Sequence, residues 1–148
     1  MKKTLILLLL AGLLSVGTIF AHKQPVPRMY MFGVAASFTD TIVHFTNIQP
    51  VDSAWIESKN GFLLERQAYA YQLRDHLAQK EQMPHRTCIV FYSQKLEKLE
   101  KKYQKMKQLY TKSKDGLSHF DVRNLDDQQF RFIPVSAAVD EETGTSQE

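Results

Sequence analysis

The chain has 148 residues, 43% of them hydrophobic and 24% charged, with a formal net charge of +3. That is long enough for one domain with a sizeable core and ordinary for a soluble globular protein. A single cysteine, Cys88, excludes an intramolecular disulfide framework, and no internal repeat is present.

Met1-Lys2-Lys3 is a short basic start, and the 18 residues from Thr4 to Ala21 follow without a charge. This is the layout of a secretory signal, with cleavage expected near Ala21. Ile19 is large where a cleavage site prefers a small residue. The competing reading is therefore an uncleaved anchor, since a stretch this long just reaches across a bilayer. Residues 22–148 carry 17 bases against 16 acids, and four of those acids (Asp140, Glu141, Glu142, Glu148) lie in the small, polar segment 136–148. That segment reads as a disordered acidic tail with too little apolar surface to fold. The basic character sits in the body, where residues 22–135 hold 17 bases and 12 acids.

Pro25 and Pro27 make residues 22–28 an extended N-terminal segment ahead of an α+β domain over 29–135. Met29 to Ala36 is nearly all apolar and predicts a strand buried on both faces. After a turn at Phe38-Thr39-Asp40, Thr41 to Ile48 predicts the returning strand of a hairpin, ended by Pro50. Asp52 and Ser53 fit a helix N-cap, with a short helix running to Ser58 and Asn60-Gly61 as its stop. A longer helix is expected from Phe62 to Gln79, with Phe62, Tyr69, Leu73 and Leu77 along one face. Thr87 to Tyr92, apolar on both faces, predicts a central strand, and Ser93 a helix cap. Leu96, Leu99, Tyr103, Met106 and Tyr110 then form a seam at 3, 4, 3, 4 spacing, and Asp115-Gly116 ends the helix. The segments 119–123 and 129–135 alternate as strands about a turn at Asp126-Asp127. The expected fold is a single mixed five-stranded sheet, ββ-α-β-α-ββ in order 2-1-3-4-5, packed with two helices.

The second helix carries the main surface signal. Between Lys95 and Lys114 there are eight lysines, with only Glu97 and Glu100 as acids. Lys98, Lys102 and Lys105 share one face beside the Leu/Tyr seam. They read either as a patch for an anionic partner or as a solvated face whose lysine stems shield the seam. No aromatic is interleaved on that face, which disfavours a base-stacking surface, and no nucleic-acid partner is expected. The seam fits packing on the domain's own sheet or pairing with another helix.

Cys88 lies mid-strand among apolar residues, as an inert buried thiol does. His22, His44, His76, His85 and His119 show no metal-ligand spacing, and no cofactor is expected. Trp55, Tyr69 and Tyr71 fit either an aromatic platform or anchors on the core.

The leader, together with Met31-Phe32-Gly33-Val34-Ala35-Ala36-Ser37-Phe38-Thr39-Asp40 and Arg86-Thr87-Cys88-Ile89-Val90-Phe91, resembles small exported proteins of Bacteroidota that carry no assigned function. The resemblance implies an exported address and brings no activity and no site residues. The expected function is a non-catalytic module, periplasmic or secreted, that binds an anionic envelope component or another envelope protein. Membrane contact is expected only through the leader, if it stays uncleaved. The alternative is a small envelope hydrolase in which His44, His85, Cys88 and His119 converge only in three dimensions.

Overall fold

The computed structural model describes residues 22–137. The signal segment read in residues 1–21 lies outside them, as does the acidic tail apart from Ser136 and Ala137. The elements run β1 (Lys23–Ala36), β2 (Ile42–Thr46), β3 (Gln49–Glu57), α1 (Arg66–Lys80), β4 (Thr87–Ser93), α2 (Leu96–Thr111) and β5 (Asp121–Leu125). They form one α+β domain, a mixed five-stranded sheet with one helix on each face.

The long strand β1 pairs with three others. β3 runs antiparallel along its first half, from Lys23↔Glu57 to Met31↔Gln49. β2 continues on the same side, antiparallel, at Val34↔Phe45 and Ala35↔His44. β4 takes the other side, antiparallel, from Tyr30↔Ser93 to Ala36↔Thr87. Between the β3 and β2 pairings the returning chain has one residue more than β1, so β2 and β3 are one hairpin arm broken by a bulge at Asn47–Ile48. Opposite that bulge the Gly33 N–H donates to Thr46 Oγ1 at 2.9 Å, a side chain standing in for the missing ladder bond. β5 lies beside β2 in parallel, with Val43↔Val122 and Phe45↔Asn124.

Four expectations are corrected. The helix expected over Asp52–Ser58 is strand β3. Ser53 does mark a break, but as a left-handed residue (φ 60) within the strand rather than as a cap. Pro50 sits inside β3, which it can do because β3 is an edge strand. The segment 129–135 is not a strand. It is extended chain held by side chains: Gln49 Nε2 donates to the Phe130 carbonyl (2.8 Å), the Phe132 N–H to Gln49 Oε1 (2.9 Å), and the Val135 N–H to the Tyr69 hydroxyl (3.0 Å). The sheet's fifth strand is β3, and β5 joins β2 rather than β4, so the order 2-1-3-4-5 holds only for the first three strands. Helix α1 begins at Arg66 rather than Phe62, because Leu63 bridges to Ile56 and the Leu64 N–H donates to the Trp55 carbonyl.

Alternation along β1 divides the core in two. Met29, Met31 and Ala35 face α1 and the 130–137 segment, with Tyr69, Leu73, Leu77, Phe130 and Phe132. Phe32 and Val34 face α2, with Val43, Phe45, Leu99, Tyr103 and Met106. The Leu/Tyr seam thus packs on the domain's own sheet; only Leu96, at its start, is exposed. Ala137 is buried, so the packed body reaches at least that far.

At Gly33 the backbone of β1 comes close to the side chains of α1 and the 130–137 segment. A Cβ there would lie 2.5 Å from Leu73 Cδ2 and 3.3 Å from Phe132 Cζ. Leu73 is itself fully buried and cannot swing aside. Gly33→Ala is expected to lower stability by about 1–3 kcal/mol through overpacking, read as a fall in the urea midpoint. An unchanged midpoint would contradict this packing.

Candidate binding groove between the basic helix and a sheet edge

Strand β4 is apolar enough to have been expected at the centre of the sheet, yet among the described residues it pairs with β1 alone. It is an edge strand, and Ile89 is 45% exposed on it. The Gly33 N–H points toward β2, away from β4. Its partner Val90 therefore belongs to a pair that turns its backbone groups outward, and by alternation so do Cys88 and Tyr92. The Val90 carbonyl confirms the direction, since it accepts from Arg66 Nε at 3.1 Å. The Arg66 guanidinium lies 5.8 Å from the Tyr92 ring centre.

Helix α2 turns back over this edge. Its first turn follows β4 closely, with the Lys95 N–H donating to Ser93 Oγ (3.0 Å); Ser93 orients the turn, and the helix itself starts at Leu96. Burying the Leu/Tyr seam against Phe32 and Phe45 fixes the rotation of the helix, which leaves the lysines to either side. Lys98, Lys101, Lys102 and Lys105 border a groove of about 460 Å³ floored by Phe91 and Leu99. All three lysines expected to act together line this one groove.

The aromatic missing from the helix face is supplied by the sheet. Lys102 Nζ stands 5.3 Å from the Phe91 ring centre, and Phe91 stacks on buried Phe32 at 5.0 Å. The phase of Phe91 on β4, two residues from Ile89 and Ser93, is the signal that places it toward α2. Among the described residues, Lys98, Lys101, Lys102 and Lys105 form no ion pair. The acids Glu97 and Glu100 line a second groove, with Asn47 and Ile48, which shares Lys101 and Lys105 with the first. Of the four lysines, Lys98 and Lys102 border the β4 side without lining the groove that holds the acids.

Of the other candidates, His44 and Cys88 flank Ala35 one strand to either side, with β1 between them. His44 is buried in β2, with Nδ1 lacking a hydrogen-bond partner among the described residues; burial, then Arg86 and Arg123, hold its pKa below the ordinary value. His85 is exposed in a left-handed conformation (φ 64), and His119 pairs with Asp115 at 3.2 Å. His76 packs against Phe130. No group of three or more His, Cys, Asp and Glu capable of holding a metal occurs among the described residues. Tyr69 is buried in the core, whereas Tyr71 is exposed with Arg74 over its ring, so these two form no common platform. Just before β4, the nearly buried Arg86 donates to both carboxylate oxygens of Asp40 (2.8 and 2.6 Å) and to the Ile42 carbonyl (2.9 Å). The Arg86 bonds, then the Ile42 N–H donating to Asp40 Oδ1 (2.9 Å), hold the Asp40 carboxyl below its usual range, and Arg86 ties the hairpin turn to β4.

Burial pushes the Cys88 thiol up to about 11, against weaker opposing effects from Arg74 and Arg86. Cys88 is thus a protonated thiol at neutral pH. Alkylation of the folded protein at pH 7.5 is expected to be at least about tenfold slower than in urea, because only the thiolate reacts. Equal rates would contradict the assigned environment.

No family model, curated protein or solved structure matches this chain.

Proposed function

We propose that the protein is an exported, non-catalytic binding module that captures an anionic partner of the cell envelope, either an envelope component or another envelope protein, through Lys98, Lys102 and Lys105. The observation that carries this reading is the gathering of lysines that form no ion pair among the described residues, over an apolar floor at a sheet edge that no other described strand pairs. A face serving only solubility has no use for such a floor, whereas a binding surface gains from it twice. The apolar ring and leucine contribute contact area, and they lower the local polarity in which the lysines attract an anion. The export reading is supported by the basic start and uncharged stretch of residues 1–21. No helix of the described residues is long and apolar enough to cross a membrane.

Tagged protein of residues 22–148, which contains the whole described fold, serves as bait in envelope extract, eluted by a salt gradient. Specific material should leave at moderate salt, because exposed charge contacts are screened over about 8–10 Å. Replacing Lys98, Lys102 and Lys105 together by Gln should weaken retention about tenfold, as expected for three partly exposed charge contacts. Retention unchanged by the triple substitution would remove the groove from the function.

A further inference from the structure

Resting on that reading, we propose that the occupant of the groove is an acidic, extended peptide segment of a partner protein, which joins the sheet as a new strand on the free edge of β4. Val90 borders the groove, yet the residue as a whole is only 1% exposed: its side chain lies in the opposite core and its carbonyl is covered by Arg66. Its outward backbone groups become available once Arg66 moves aside. The outward N–H and C=O groups of Cys88, Val90 and Tyr92 are the donor and acceptor row that a strand requires.

One of these groups already has a stand-in partner. The Arg66 guanidinium on the Val90 carbonyl occupies the place of a neighbouring strand's N–H. An incoming strand would displace it and leave its guanidinium beside the Tyr92 ring. Lys98 lies beside Tyr92 and Ser93, and Lys102 stands over Phe91, so α2 descends antiparallel to β4. Lysines one helical turn apart recur every ~5–6 Å, close to the ~7 Å between alternate residues of a strand. Acids at every second position of the added strand would each face a lysine. The positions between them would turn toward Arg66 and the α1 side.

This geometry favours a peptide over other anions. A polysaccharide or lipid headgroup can use the lysines but not the row of backbone groups. A second copy pairing through β4 would bring two sets of lysines together and be repelled.

The test uses residues 22–148 with an end-blocked octapeptide of alternating Glu and Val, beside a heparin oligosaccharide of matched charge. Amide exchange at Val90 and Tyr92 is followed by NMR. The expected result is at least tenfold slower exchange at both amides with the peptide, little change at Ile89 and Phe91, and no such slowing with heparin. Tyr92→Pro, which removes one outward N–H, should lose the peptide while Tyr92→Ala retains it. Heparin binding without peptide protection at Val90 and Tyr92 overturns strand addition and leaves the lysine groove standing. Failure of both ligands overturns both.

Discussion

Everything in this fold hangs on β1 being covered on both faces while paired on both edges. A strand of this length exposes two rows of side chains, and both rows are apolar over Met29–Ala36. Each row requires its own cover, so one helix must pack on each face. Gly33 sets how closely the α1 side can approach, because Leu73 and Phe132 occupy the space a side chain would take. The same residue stands opposite the bulge, with its N–H on Thr46. Close packing on one face and the bend of the hairpin arm therefore meet at one position, and the two cores are coupled through it.

The lysine groove is a consequence of that arrangement. The aromatic cluster of Phe32, Phe45, Tyr103 and Tyr110 fixes how α2 lies on the sheet, with edge-on ring contacts at 4.9–5.9 Å. Once the seam is buried, the lysines flanking it have no freedom of placement beyond their own rotamers. Those on the β4 side overhang a strand whose outer edge pairs with no other strand among the described residues. An apolar edge strand is a hazard for uncontrolled pairing, and lysines nearby are one common protection. In the proposed role, lysines that repel another copy of this chain would attract a strand of opposite charge, and one set of residues would serve both protection and recognition.

Much of this was legible in the sequence, and the failures have physical causes. The 3-4 spacing of Leu99, Tyr103, Met106 and Tyr110 identified α2 and its buried face, since that periodicity is local. The hairpin and the β1–β4 pairing followed from two strongly apolar runs. Strand β3 was misread because Asp52 and Ser53 look like a cap, whereas pairing with Lys23–Arg28 across the sheet overrides that local preference. The position of β5 beside β2 was not legible, because a parallel pairing between segments so far apart leaves no trace in either segment alone. The 129–135 segment alternates like a strand, yet the side chains of Gln49, Gln72 and Tyr69 take its backbone groups instead. As for the groove, Lys98, Lys102 and Lys105 could be read from helical geometry. The phase of Phe91 on β4 gives its face, but its place under Lys102 depends on which edge of β1 is taken by β4.

The most direct test of a recognition role for the groove is to footprint its lysines. Reductive methylation of residues 22–148, with and without envelope extract, can be read residue by residue by mass spectrometry. If the groove is where a partner binds, Lys98, Lys102 and Lys105 should be labelled several-fold more slowly in the extract, while Lys80, Lys112 and Lys114 are labelled at unchanged rates. Uniform labelling of all six would show a solvated helix face with nothing bound to it, and would contradict the proposed role.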